Sequence, residues 1–432
     1  MSPAPLLFRQ ARLLDPANKL DAARDLLAVD GRIAAVGGTL APPNGATVIE
    51  ANGLCLAPGL VDMRTQLREP GAEHEETLAT AAFAAVAGGV TTIACLANTN
   101  PIVEEASLAA FIARKARQIR LAKIYPYAAM TRGRAGVQLT EMGLLDEEGV
   151  VGFTDAPNPV ASALVMRRAL SYAQTFNQLI LSHPEEPSLT QGGAMNEGEI
   201  ATRLGLPGIP ATAELIMVER DVLLAELTRG RLHVGPLSTA ASIEVVRQAK
   251  RRGVRVTADT APHYFALNET AVGEYRTFAK VSPPLRNESD RRAVIAGLAD
   301  GTIDAIASDH SPHDPDSKRL PFIQASFGIV GLETLLPLSL ELYHQGHIKL
   351  PRLIELITSG PAEIIRRPAG TLSPGAAADL VLFDLDRPHR IDTKAFHAKS
   401  KNSPFDGRPV QGSVVATYVD GRAVFQADTA HG

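Results

Sequence analysis

Between Gly59 and about residue 367, short apolar runs alternate with longer Ala-rich amphipathic stretches. This alternation constrains the fold more than any other feature. Candidate strands are 60–66, 90–96, 123–129, 150–154, 178–183, 231–236, 254–259 and 303–309. Most are followed by helix-like stretches, at 75–88, 104–119, 160–175, 210–228, 240–252 and 289–299. A helical crossover between successive strands makes them parallel. Eight such strands predict an α/β fold, a closed (β/α)8 TIM-type barrel spanning residues 59–367.

The two ends read differently. Residues 1–58 are short strands and turns, with Asp30-Gly31 as a hairpin signal suited to a type I′ turn. After about 367 the β texture returns in ADLVLFDLD and GSVVATYVDGRAVF, with a second Asp-Gly at 420–421. The simplest assembly is one flanking β-sandwich built from both chain ends, 1–58 and 368–432.

The stretch GLVDMRTQLREPG, Gly59 to Gly71, enters as a buried strand behind a Pro-Gly turn and ends in a polar cluster. Alternation puts Asp62, Arg64, Gln66 and Arg68 on one face, aimed at the carboxyl-end mouth where barrel chemistry sits.

Composition excludes several classes. A net charge of −4 gives no electrostatic reason to expect nucleic acid or acidic membranes as partners. The two cysteines, Cys55 and Cys95, make neither a disulfide framework nor a metal spacing, which points to a reducing compartment. No signal peptide or run of transmembrane length is read, so the expectation is a cytoplasmic protein. Gly88-Gly89 and Gly192-Gly193 are turn chemistry without a phosphate-loop pattern, and Cys95 reads as a core residue.

The frame D-M-x-x-x-L-R-E-P-G resembles the first barrel strand of the dihydroorotases, in the cyclic-amide branch of the amidohydrolase superfamily. The resemblance continues through LANTNP (96–101), GFTDAP (152–157), SHPEEPSL (182–189), TAPHYFALNE (260–269), DGTIDAIASDHSPH (300–313) and KNSPFDG (401–407). It implies a hydrolase fold in which zinc activates water against a cyclic amide. It also implies which positions hold metal. The His-x-His pair of the family falls on Arg64 and Gln66, and the histidine after the sixth strand falls on Pro236. Asp155, His183 and the general base Asp309 are kept. On the substrate side Arg68, Asn98 and His313 match, whereas an expected asparagine is Ser282.

Proline offers no ligand atom, glutamine is a weak one, and arginine does not deprotonate. At an effective dielectric of about 20, unit charges about 4 Å apart interact by roughly 4 kcal/mol, and a dication doubles the repulsion. No cofactor is therefore expected. Arg64 is expected to reach between Asp155 and Asp309 instead, by bidentate bonds.

The resulting expectation is a non-catalytic dihydroorotase-like subunit, with Asp309 a vestigial base. The resembling subgroup implies a structural partner of aspartate carbamoyltransferase, in an oligomer. The alternative is an active cyclic-amide hydrolase with one metal or none, in which Asp309 acts on water and Arg64 or Arg68 holds the oxyanion; zinc belongs only to this alternative. A small-anion sensor is a third reading. Beside these stand blander roles: His183, His263 and His310 as hydrogen-bonded histidines, His233 as structural on the opposite strand face, Asp309 as a salt-bridge partner, and Arg68 paired with Glu69 or Asp62.

Overall fold

In the computed structural model, which describes residues 3–427, the alternating segment closes into a barrel. Leu60–Thr65, Val90–Cys95 and Lys123–Pro126 form one parallel ladder. Leu179–Ser182, Arg231–Val234, Val256–Thr260 and Ala305–Ile306 form another. Single parallel bridges join the two arcs: Ala128 to Phe153, Phe153 to Ile180, and His310 to Thr65. The expected strand at 150–154 is thus one bridged residue, and the eighth is short. Both are cut off where the chain turns polar and opens into mouth loops.

The helices follow the pattern closely: Leu78–Ala87, Ala106–Ile119, Ala163–Thr175, Thr212–Thr228, Ala240–Arg251 and Glu288–Asp300. Their apolar faces pack on the outward strand residues, including Ile93, Ile124, Ile180, Val234 and Ala258. Among the helices not read from the alternation, Leu335–His344, Leu350–Ile357 and Ser359–Ile364 follow the last strand. Ile364 and Ile365 join Val61, Met63, Ala94, Leu179 and Leu181 in a separate inner core.

The two chain ends meet in one eight-stranded sheet. Cys55–Pro58 lies parallel to Leu6–Asp15 and antiparallel to Leu380–Arg390 (Ala57 opposite Val381). Phe8 and Tyr418 stack edge-on at 5.1 Å across this joint. The turns at Asp30-Gly31 and Asp420-Gly421 have positive φ at both residues, as type I′ hairpins require. The outermost residues of the two sheet segments, 1–2 and 428–432, lie outside the described residues.

Candidate active site

The first barrel strand carries one extra residue. Val61 and Asp62 face Thr92 and Ile93, but the next pair is Thr65 with Cys95, three residues against two. This bulge breaks the expected alternation. Arg64, Gln66 and Arg68 line the mouth cavity, whereas Asp62 turns away and accepts the backbone N–H groups of Arg64 and Ser308. Burial pushes its carboxyl up to about 6, against the pull of those bonds.

Arg64 does not span Asp155 and Asp309, contrary to expectation. Its Nε donates to Asp259 Oδ2 at 3.0 Å, and its Nη2 donates to the Gly235 carbonyl at 2.7 Å. The pair is sealed from water, with side-chain exposures of 2% and 0%. Burial pushes the Asp259 carboxyl up, but Arg64 and His233, by charge and hydrogen bonding together, hold the group below the usual range. Gly235 is obligatory here, because a Cβ would lie 1.6 Å from Asp259 Oδ1. Asp259 was missed in the sequence; its only signal was an acid ending a barrel strand. His233 does not lie on the opposite strand face as expected: it faces inward, with Nδ1 2.8 Å from Thr257 Oγ1 and Nε2 3.6 Å from Asp259.

The retained family positions have been scattered to other duties. Asp155 accepts the backbone N–H groups of Met130 and Thr131 at 2.9 Å each, and the Thr131 hydroxyl besides. His183 is bonded by side chains rather than by backbone: Nε2 lies 2.9 Å from Glu185 and 3.2 Å from Ser282. Ser282 in turn donates to Glu185. Pro236 is buried and follows the carbonyl that Arg64 holds.

Asp309 is not the salt-bridge partner expected of it. Its carboxylate makes no hydrogen bond among the described residues, and its nearest basic neighbour is His263 Nε2 at 3.8 Å. Burial pushes the Asp309 carboxyl up to about 8; Arg64 lowers it, while Asp259 and Asp62 raise it. Burial also drives His263 down to about 3, so that imidazole is neutral. His310 bonds as expected, accepting from the Gly331 N–H at 3.2 Å.

The cavity itself is about 310 Å³. Arg68 pairs with Glu75 at 3.0 Å, not with Glu69 or Asp62, and donates to the Pro312 carbonyl at 3.0 Å. Glu69 is instead tied to the Leu78 N–H and Lys115. Asn98 donates to Gln66 at 2.7 Å. His313 bridges Glu75 and the Phe327 carbonyl, at 3.2 and 2.8 Å. Arg134, unnoticed in the sequence, also lines the space.

The donors present do not fit the binuclear metal site the fold implies. The guanidinium of Arg64 holds one ligand position, Asp155 is engaged by three donors, and Pro236 has no side-chain ligand atom. Among the described residues the metal-capable side chains that converge are His74, Glu75 and Asp314, outside the expected set.

Two family models match, "Dihydro-orotase-like" over residues 53–242 and "Amidohydrolase family" over 297–425. Whole-length relatives are named "Dihydroorotase". The one from Geobacter sp. strain M21 is 46% identical, covering 98% of this chain and 99% of its own. That of Anaplasma phagocytophilum is 46% identical (98% and 95%), and that of Syntrophus aciditrophicus 44% (98% and 100%). The chain belongs to the dihydroorotase family. Among solved structures, the L-hydantoinase (dihydropyrimidinase) of Arthrobacter aurescens superposes with a TM-score of 0.88 at 25% identity, covering 98% of this chain and 96% of its own. A dihydropyrimidinase from Brevibacillus agri gives 0.85, with 98% and 95% covered, and shares the fold.

These findings correct the expectation of a non-catalytic scaffold for a carbamoyltransferase. Dihydroorotase relatives match this member of the family from end to end, and nothing in the similarity marks a structural subtype. Replacement of the family's imidazoles at 64, 66 and 236 therefore does not set this chain apart from relatives named dihydroorotase. The mouth still holds an unpaired carboxyl and a guanidinium facing one cavity.

Proposed function

We propose that this chain hydrolyses a carboxylated cyclic amide, as a dihydroorotase opens dihydroorotate to carbamoyl aspartate, and does so without zinc. The observation that carries this reading is the end-to-end identity of 44–46% to relatives named dihydroorotase. The chemistry falls to Asp309 and Arg64. Ionised Asp309 takes a proton from water, whose oxygen adds to the amide carbonyl carbon. Arg64 Nη1, the guanidinium nitrogen with no hydrogen-bond partner among the described residues, donates to the oxyanion that forms. The C–N bond then breaks as Asp309 returns the proton to the leaving nitrogen. A positioned base contributes about 10²–10⁴-fold. One oxyanion donor adds about 10²–10³-fold.

Dihydroorotate hydrolysis by protein passed through chelator tests the reading. Turnover is expected to persist in the chelator. Its kcat/KM rises with pH through about 8, because Asp309 must lose its proton to act as base. Asp309→Asn is expected to lose at least about a hundredfold. No turnover at any pH, or turnover that returns only with stoichiometric zinc, would overturn it.

A further inference from the structure

The cavity holds three guanidinium groups, and two are already neutralised. Arg64 is paired with Asp259 and Arg68 with Glu75, both at 3.0 Å. Arg134 has no carboxylate within salt-bridge distance among the described residues. Its Nη1 donates to the backbone carbonyls of Asp155 and Ala156, at 3.3 and 3.2 Å, and its Nε is buried with no hydrogen-bond partner. A buried donor without a partner is costly and calls for an explanation. Burial lowers the affinity of Arg134 for its proton, with the Asp155 carboxylate opposing it, and the Arg134 charge adds to the same lowering on Arg68, so the two guanidiniums feel each other.

The loop that presents Arg134 is built with care. Its residues Gly133, Arg134 and Gly136 all have positive φ, of 61°, 50° and 71°. For arginine that conformation is strained. The loop is clamped at its start by Asp155, which binds Met130 and Thr131. Thr131 Oγ1 then accepts the Gly136 N–H at 2.8 Å. The aspartate kept from the family pattern therefore holds a strained turn whose product is a cation facing the cavity.

We propose that Arg134 is a substrate-binding residue, pairing with the carboxylate of the ligand and selecting a carboxylated ring over a neutral one. This rests on the hydrolase reading for the identity of the ring, but not for the need of an anion. A half-buried guanidinium that feels the Asp155 charge only from beyond salt-bridge distance is satisfied by a ligand carboxylate through charge-assisted hydrogen bonds. A neutral ring such as dihydrouracil leaves it unmet.

Calorimetric titration at pH 7 and low salt tests this with dihydroorotate, L-malate and dihydrouracil, on the wild-type chain, Arg134→Gln and Arg134→Lys. Arg134→Gln is expected to bind dihydroorotate and L-malate at least about tenfold more weakly. Arg134→Lys should recover most of that loss, and dihydrouracil should change less than about twofold, since it has no carboxylate. A residue that merely pins the loop would weaken all three ligands alike and lower the melting temperature. That result, or unchanged dihydroorotate affinity in a folded Arg134→Gln, overturns the proposal. So does a wild-type chain that binds neither carboxylate. Arg134-dependent binding without ring opening would retire the hydrolase reading and leave Arg134 in its role.

Discussion

Arg64 shows how one side chain redefines its surroundings. A guanidinium enclosed with Asp259 has exchanged water for a single carboxylate and one carbonyl. Such a pair adds little over a well-packed apolar one, but breaking it strands a charge. Arg64→Met is therefore expected to cost about 3–5 kcal/mol in urea unfolding. Adding Asp259→Asn should give back at least about 1 kcal/mol, since it removes the stranded charge. Strictly additive losses would show that the two groups are not coupled. The same enclosure lifts Asp309, the remaining carboxyl of the mouth, into the range where it can trade protons near neutral pH.

At the scale of an element, the segment 314–327 forms part of the cavity wall through Phe327, whose carbonyl meets His313. Two buried lysines hold it. Lys280 Nζ donates to the carbonyls of Phe322, Ile323 and Ala325 at 2.7–2.8 Å, and lies 4.3 Å from the Phe327 ring. Lys318 Nζ donates to the Ser326 carbonyl at 2.6 Å. Burial pushes Lys280 down to about 8, and burial with the Lys280 charge pushes Lys318 down to about 7. Between those values and the ordinary lysine value of about 10.4, the unfolded chain holds protons that the folded chain has released. The contribution of the lysines to stability therefore grows as pH rises through that window. Unfolding free energy from pH 7 to 9.5 should rise more for the wild type than for Lys318→Met; parallel curves would contradict the depressed value. None of this was legible in the sequence, since nothing local to Lys280 announces that carbonyls more than forty residues away will enclose it, and nothing around Lys318 announces that its charge will be buried against Ser326.

For the whole molecule, barrel and sheet are tied by Lys123, which follows the second barrel helix. Its Nζ bonds Asp379 at 2.7 Å and Asp420 at 2.8 Å, both in the C-terminal segment. Asp379 is nearly buried, at 8% side-chain exposure, so Lys123→Ala is expected to destabilise by about 3 kcal/mol. Asp379→Asn in that background should recover part of it; a loss under about 0.5 kcal/mol would mean that the link is only a surface contact. The sequence by itself determined the barrel, the six helices, the two Asp-Gly hairpins and the family, because periodicity and turn chemistry are local and survive without knowledge of neighbours. It also named most residues that line the mouth. Only the tertiary structure decided what those residues do there. A bulge turned Asp62 away, Asp259 claimed Arg64, Asp155 was spent on a loop, and Arg134 arrived from that loop. Partners of a charge are chosen by proximity in the folded chain, between residues 195 positions apart for Arg64 and Asp259 and 238 for Glu75 and His313. No pattern along the chain encodes that meeting.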